Sequence, residues 1–383
     1  MLSPGLVNAH THLEYAVYGG FGDGLSFGPW LDVHIERKRR LEWEDVVAVA
    51  RLGAAMCLES GVTTVADASF SGAAAPACDE LGLRAIVHLE VFGSDVQAGI
   101  DTFERHRERI APSLSDRVTL GISPHAAYSV GTELFEAALD LGLPAQTHLA
   151  ESAEEIAFLR DGEGPVARIA DLCGVGSPGV GPVELLAANG LLRPSLTAAH
   201  CVKIGHEDIE GLARSGVAVA HCPRSNAQLG CGVAPVAELR AAGVRVGLGT
   251  DSPASAPSFD MFEEMRAALA LARLRATDPA ALAAGDVLEL ATLGSARAIG
   301  LADEIGSLAP GKRADLTVLS LEGSGYLPCE DPELAVVLSG TPARVSRTMV
   351  GGVTRYQRGG SEWHELRQSA ADARARMLAP LSR

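Results

Sequence analysis

Aromatic side chains make up only 4% of this 383-residue chain, and its 32 Lys and Arg are outnumbered by 48 Asp and Glu. The resulting net charge of −16 would repel phosphates over most of the surface, so no nucleic acid or anionic membrane is expected as a partner. A small ligand meeting one local arginine is not excluded by that balance. There is no CxxC pair, and the seven cysteines (57, 78, 173, 201, 222, 231 and 329) are odd in number and scattered. A chain of this length does not depend on a disulfide framework, so reduced thiols in a cytoplasm fit best. No basic segment followed by an apolar stretch opens the chain, and no secretory leader is expected. Nor is there a run of about 18 apolar residues to span a bilayer. The expectation is a soluble, cytoplasmic protein whose length suits one large α/β domain with an appendage, or two ordinary domains.

What is abundant is aliphatic residues and alanine, arranged in alternation. Short β-rich runs are separated by longer Ala/Leu/Glu/Arg-rich stretches, the signature of βαβ units and a parallel sheet. Eight runs read as strands: Leu6–His10, Thr63–Asp67, Arg84–Leu89, Val118–Ser123, Ala145–Leu149, Leu196–Cys201, Val217–Cys222 and Arg245–Thr250. Helices are expected at Trp43–Glu59, Thr132–Leu141 and Ala234–Ala242, with Gly61, Gly142 and Gly243 as stops before the next strand. Eight such units over about 250 residues are the size of a closed (β/α)8, TIM-like barrel.

Residues 4–304 are therefore expected to form the barrel. Strand-like stretches at Ile305–Leu321 and Arg347–Arg358 suggest a small β-rich appendage over 305–360, and 361–383 a terminal helix or tail. The Gly- and Pro-rich segment Gly162–Leu192 reads as a long loop with one short helix bordering the pocket.

Polar residues gather where the strands end: His10 and His12, Asp67, Glu90, His125, His148, His200, His221 and Asp251. In a barrel these ends share one face, where active sites are built. In Asn8-Ala9-His10-Thr11-His12, side chains two apart on a strand point the same way and offer two imidazoles to one ion. A lone HxH is weak, but His148 with Glu151 three residues on, His200 and Asp251 arrive from other strands. Three neutral imidazoles and one carboxylate suit a single Zn2+ or Fe2+ and leave room for water. Taken singly, Asp251 could cap a helix and His200 could be a satisfied core residue. Asp67 and Glu90 are read as loop-orienting groups, not catalytic ones. Cys201 and Cys222 alternate to the opposite side of their strands and read as small buried residues.

HTH after strand one, HLAE after strand five, AHC after strand six and GTDS after strand eight resemble the amidohydrolase superfamily, and within it the mononuclear deaminase and chlorohydrolase branch. The resemblance runs from about Pro4 to Arg358. It implies that His10, His12, His148 and Asp251 hold the metal, Zn2+ before Fe2+. It also makes Glu151 the proton-transferring acid, with Asp251 accepting the water proton and His200 bonding the attacking water or the tetrahedral intermediate. Strand four offers His125 and no lysine, which argues for one metal where binuclear relatives use a carboxylated lysine. SPHAAYS resembles the purine-nucleoside deaminases, which makes His125 a substrate-binding residue. Relatives usually open with about fifty further residues that supply half of a β-sandwich. The appendage is therefore expected to be incomplete, from an altered start or with a partner chain covering the gap.

His221-Cys222-Pro223-Arg224-Ser225-Asn226 and His10-Thr11-His12-Leu13-Glu14 resemble the deaminases of 6-aminodeoxyfutalosine, a carboxylated adenine nucleoside of menaquinone biosynthesis. Arg224 could pair bidentately with such a carboxylate or satisfy a loop carbonyl. Glu14 could bind ribose or a neighbouring loop, and Trp30 could wall the pocket or fill the core. Ser225 and Asn226 join them as candidate substrate contacts. The alternatives are deamination of S-adenosylhomocysteine, methylthioadenosine or guanine, and dechlorination of a triazine. A non-catalytic metal- or metabolite-binding barrel is a further alternative, against which Glu151 and Asp251 both stand. A homodimer is the expected assembly.

Overall fold

Eight parallel strands follow one another round a barrel in chain order. The computed structural model describes residues 1–325, 327, 330–360 and 363–378. A short strand, β1 (Leu2–Pro4), precedes the barrel. The barrel strands are β2 (Leu6–Thr11), β3 (Val62–Ser69), β4 (Arg84–Val91), β5 (Val118–Pro124), β6 (Ala145–Leu149), β7 (Leu196–His200), β8 (Ala218–His221) and β9 (Val246–Leu248), each parallel to the one before. Closure between β9 and β2 comes just beyond β9, where the Asp251 N–H donates to the His10 carbonyl at 3.0 Å and the His12 N–H to the Asp251 carbonyl at 3.4 Å. All eight residues of β3 and of β4 are buried, as expected of strands covered on both faces.

The expected fold is the one observed, with local differences. The eighth strand is shorter than Arg245–Thr250 and stops before Gly249, which lies so close to β2 that a Cβ would meet the His10 carbonyl oxygen at 2.8 Å. The expected helix over Trp43–Glu59 has those bounds, and its Gly53 lies against the segment that follows the HTH motif. A Cβ on Gly53 would sit 2.8 Å from the Leu13 carbonyl oxygen, so only glycine permits this approach. Within Gly162–Leu192 there are two short helices instead of one, Ala167–Cys173 and Pro182–Ala188. An additional helix, Phe27–Lys38, supplies part of the cavity wall described below.

At the strand-start end, Val7, Ala9, Ala66, Ile86 and Ala220 pack with Ala296, Ile299 and Ile305. There the Thr197 hydroxyl donates to the Ala298 carbonyl at 2.9 Å. Apolar packing at that end leaves the polar groups to the other.

Beyond the barrel, β10 (Leu316–Leu319), β11 (Val345–Val350) and β12 (Val353–Gln357) form an antiparallel sheet with β1, in the order β1-β10-β11-β12. Leu2–Pro4 thus fill a place beside β10. A buried Arg84–Asp315 pair, at 2.8 and 3.2 Å, ties this sheet to the start of β4. The terminal helix His364–Leu378 reaches back to the barrel, where Arg374 donates to the Gly19 carbonyl at 3.1 Å. Six cysteines are free thiols, and Cys329 lies outside the described residues. Among the described residues, no helix is long and apolar enough to cross a membrane.

Candidate active site

Where the strands end, the backbone turns sharply without glycine. Ala150, His200, Cys201 and Asp251 have φ of 52°, 72°, 47° and 55°. Each left-handed residue costs about 1 kcal/mol. Cross-strand bonds hold these turns: Cys201 N–H to the Leu149 carbonyl at 3.0 Å, Val202 N–H to that of Ala150 at 2.9 Å, and Asp251 N–H to that of His10. Strain concentrated at strand ends that carry polar groups is the usual mark of a site.

Four imidazoles converge there, and each commits its Nδ1 to an oxygen acceptor. His10 bonds Gln146 Oε1 at 2.8 Å, His12 the Ala68 carbonyl at 2.7 Å, His148 the His125 carbonyl at 2.9 Å and His200 Asn226 Oδ1 at 2.9 Å. Gln146 is oriented by its own Nε2, which donates to the Ala9 carbonyl at 2.9 Å. With Nδ1 protonated, each Nε2 presents a lone pair, the arrangement that metal-binding histidines use. His12 Nε2 lies 3.2 Å from His148 Nε2 and 3.4 Å from Asp251 Oδ1, and His10 Nε2 lies 3.8 Å from that same oxygen. The Nε2 atoms of His10 and His200 are buried without a hydrogen-bond partner.

Lone pairs crowded together away from water are costly unless a cation satisfies them. The donor set therefore fits a divalent metal, and His10, His12 and Asp251 bring their ligand atoms within 4.8 Å of one another. Burial lowers the imidazoles of His10, His148 and His200 to about 4 and that of His12 well below its usual value, so all four are neutral at pH 7. Burial alone would raise Asp251. The His12, His200 and His10 rings and the Ser225 hydroxyl instead hold it below the usual carboxylate range. Its Oδ2 accepts from Ser225 at 2.6 Å and Ser255 at 2.8 Å.

Glu151 follows β6 and sets its Oε2 3.6 Å from His200 Nε2. Burial first, then the carboxylates of Asp251 and Glu155, push its carboxyl well above the ordinary range, which favours the protonated acid. A protonated acid beside a base-rich cluster is suited to donating to a substrate nitrogen.

This cluster opens into a largely apolar cavity of about 270 Å³. Of the residues singled out from sequence, His12, Trp30, His125, His148, Glu151, His200 and Asp251 line it, and Trp30 Nε1 donates to the Ala254 carbonyl at 3.3 Å. His125 uses its Nδ1 on Ser129 Oγ at 2.7 Å. Ser225 and Asn226 stand behind Asp251 and His200, holding them instead of lining the cavity. Glu14 is buried away from it, accepting from Ser71 Oγ at 2.9 Å and the Ala73 N–H at 2.9 Å. Arg224 is not brought to the cavity either. Its guanidinium donates to Ser258 and Asp260 carbonyls and pairs with Glu263 at 3.2 Å and the buried Glu264 at 3.4 Å.

Sequence reasoning passed over Tyr15, Lys38 and Phe92, and it read Glu90 only as an orienting group. All four line the cavity. Burial pushes Glu90 up to about 7, against the opposing pull of Lys38. Its position at a strand end was the available signal, while Lys38 lies on a covering helix with no motif to mark it.

The pattern of the amidohydrolase family matches residues 1–355. A 5-methylthioadenosine/S-adenosylhomocysteine deaminase of Nitratidesulfovibrio vulgaris is 37% identical over 94% of this chain and 80% of its own length. A 5′-deoxyadenosine deaminase of Methanothermobacter thermautotrophicus is 35% identical over 92% of this chain and 81% of its own. Among solved structures, a zinc-bound adenosine deaminase of Xanthomonas campestris superposes with a TM-score of 0.85 at 30% identity, covering 98% of this chain and 86% of that one. The zinc complex of an atrazine chlorohydrolase of Arthrobacter aurescens gives 0.81 at 25% identity, over 98% and 88%. Fold, strand-end motifs and these matches agree: the chain belongs to the amidohydrolase family, hydrolases of carbon–nitrogen bonds.

Proposed function

We propose that this protein is a metal-dependent deaminase of adenosine-type nucleosides modified at the 5′ position, with residues 4–304 as its catalytic unit. His10, His12, His148 and Asp251 would hold one divalent ion, zinc first among candidates because two structural relatives carry it. When bound, such an ion lowers the pKa of water enough to supply a nucleophile at neutral pH. Asp251, steadied by two serine hydroxyls, accepts the water proton. The neutral His200 accepts a hydrogen bond at Nε2 and orients the water. Glu151 donates its proton to a ring nitrogen, making the adjacent amino-bearing carbon electrophilic. That carbon gains the water oxygen, and the proton taken by Asp251 passes to the departing amine, which leaves as ammonia when the C–N bond breaks; the remaining hydroxyl proton returns to Glu151 as the C=O bond forms.

The observation that carries this reading is the placement of the Glu151 carboxyl 3.6 Å from His200 Nε2, opening with Asp251 into one cavity. Methylthioadenosine and S-adenosylhomocysteine are the favoured substrates. Apolar lining such as Phe27, Leu31 and Ile169 suits a thioether substituent, and relatives at 35–37% identity bear those names or that of 5′-deoxyadenosine. The 6-aminodeoxyfutalosine reading loses its support in Arg224, which is occupied elsewhere. Ammonia release from zinc-loaded protein with methylthioadenosine, S-adenosylhomocysteine, 5′-deoxyadenosine, adenosine, 6-aminodeoxyfutalosine and guanine tests this. Preference for the first three supports the proposal, whereas preference for guanine, or silence throughout, rejects it.

A further inference from the structure

Besides Asp251, two carboxylic acids line the cavity in different surroundings. Glu151 groups with His200 and Asp251, whereas Glu90 groups with His125 and His148, its oxygen within 4.8 Å of their ring nitrogens. The mechanism above uses the first and leaves the second idle. Glu90 is only 4% exposed, and among the described residues its carboxyl makes no hydrogen bond and no ion pair. A buried carboxyl facing a cavity without a partner is waiting for one.

Lys38 is the complementary group. It lines the same cavity from the Phe27–Lys38 helix, and its ammonium donates to Tyr15 Oη at 3.1 Å and rests 4.1 Å from the centre of the Phe70 ring. Among the described residues it forms no ion pair. One of its three N–H donors is thus used, while Glu90, raised to about 7 by burial, offers only acceptors in its ionised form.

We propose, resting on the deaminase reading, that Glu90 and Lys38 form a hydroxyl-reading pair for the vicinal diol of a ribonucleoside. An acceptor-only group and a donor-only group in one cavity match hydroxyls, because each hydroxyl both donates and accepts. An anionic substituent placed here would be repelled by Glu90, and a cationic one by Lys38. The two carboxylate oxygens accept the two O–H groups, and Lys38 donates to a hydroxyl oxygen. The reactive base then lies toward Glu151 and the sugar toward His125. Glu90 is therefore a specificity-determining residue, not a proton carrier.

The test compares the best nucleoside of the panel with its 2′,3′-dideoxy analogue, using zinc-loaded wild type, Glu90→Gln and Lys38→Met. Wild type should favour the diol, and Glu90→Gln should lower kcat/KM for it by about 10- to 100-fold, mostly through KM, the range of one or two charge-assisted bonds. On the dideoxy analogue both variants should lose far less than on the diol, and thermal melts at the wild-type Tm show that they are folded. Lys38→Met should lose diol preference in the same direction. Equal losses on both substrates, or a wild type indifferent to the diol, overturn the pair while leaving the deaminase reading intact. A wild type inactive on every nucleoside overturns both.

Discussion

The carboxylate of Glu155 holds the backbone of Glu151: Oε2 accepts the Glu151 N–H at 2.7 Å, and Oε1 accepts that of Ala150 at 3.1 Å. Ala150 is one of the left-handed residues, so this side chain braces the strained turn that presents the acid to the cavity. Removing it leaves two buried donors without acceptors. Glu155→Ala should therefore cost about 1–3 kcal/mol of stability and lower kcat more than KM. Glu155→Gln, which keeps one acceptor oxygen, should fall between. Thermal melts with steady-state kinetics decide the matter, and an Ala variant equal to wild type in both would dismiss the brace.

Glu151→Gln removes the transferable proton without touching the imidazoles. Metal content measured by atomic absorption should stay at the wild-type ratio, while turnover drops by about 100-fold or more. Normal turnover would mean that another group protonates the substrate. Loss of metal together with turnover would instead make Glu151 part of the ion's support.

Much of this site was legible because a barrel places all its strand ends on one face. The His10/His12 pair, His148, His200 and Asp251 are far apart in sequence, yet the eight-strand reading alone predicts that they meet. What sequence could not supply was direction within the first turn after a strand. Pro223–Gln228 is a short helix, and it turns Ser225 and Asn226 toward the ligand cluster while Arg224 points to Glu263 and Glu264. Adjacent residues thus part company over a rotation of about 100° per residue. The wall formed by Phe27–Lys38 was missed for a different reason. That helix sets charged residues among its apolar ones without a clear stripe, so no periodicity marks which side chains face the substrate.

Arg224 consequently carries a structural prediction. Glu264 is fully buried, and burial pushes it up to about 8 against the pull of Arg224. Arg224→Met should strip this carboxyl of its guanidinium partner, leaving the Arg224 backbone N–H at 3.2 Å, and destabilise the fold by about 1–3 kcal/mol. The ratio of kcat/KM between carboxylated and uncarboxylated nucleosides should stay unchanged. A selective loss on the carboxylated substrate would restore the arginine to substrate recognition.

Chelation should separate the metal from the fold. Dialysis against a chelator should abolish turnover and lower Tm, since an ion bound only by the native state stabilises it by mass action. Zn2+ should restore both. Restoration by Fe2+ and not by Zn2+ would change the assigned ion, and full activity in metal-free protein would remove the ion from the reaction.

The buried imidazoles set how the metal-free protein responds to acid. His10, His34, His148 and His200 are lowered to about 4, and His88 and His221 to about 3, chiefly by burial. Between an ordinary histidine value of about 6.5 and these, the unfolded chain binds protons that the folded chain refuses. Their contribution is fully present above 6.5 and is lost as pH falls toward 4. Glu90 and Glu155, raised to about 7, and Glu264, raised to about 8, work in the opposite sense. They hold protons that the unfolded chain has released above about 4.5, so their contribution fades as pH rises through 7 and 8. Glu14, Asp67, Glu151 and Asp260 are raised as well and His12, His106 and His125 lowered, so nine imidazoles stand against seven carboxyls and Tm should drop from pH 6.5 to 4 and only gently from 7 to 8. Melting curves of metal-free protein across that range are the check, and a Tm that is flat or rising on acidification would show that the imidazoles are not held neutral by burial.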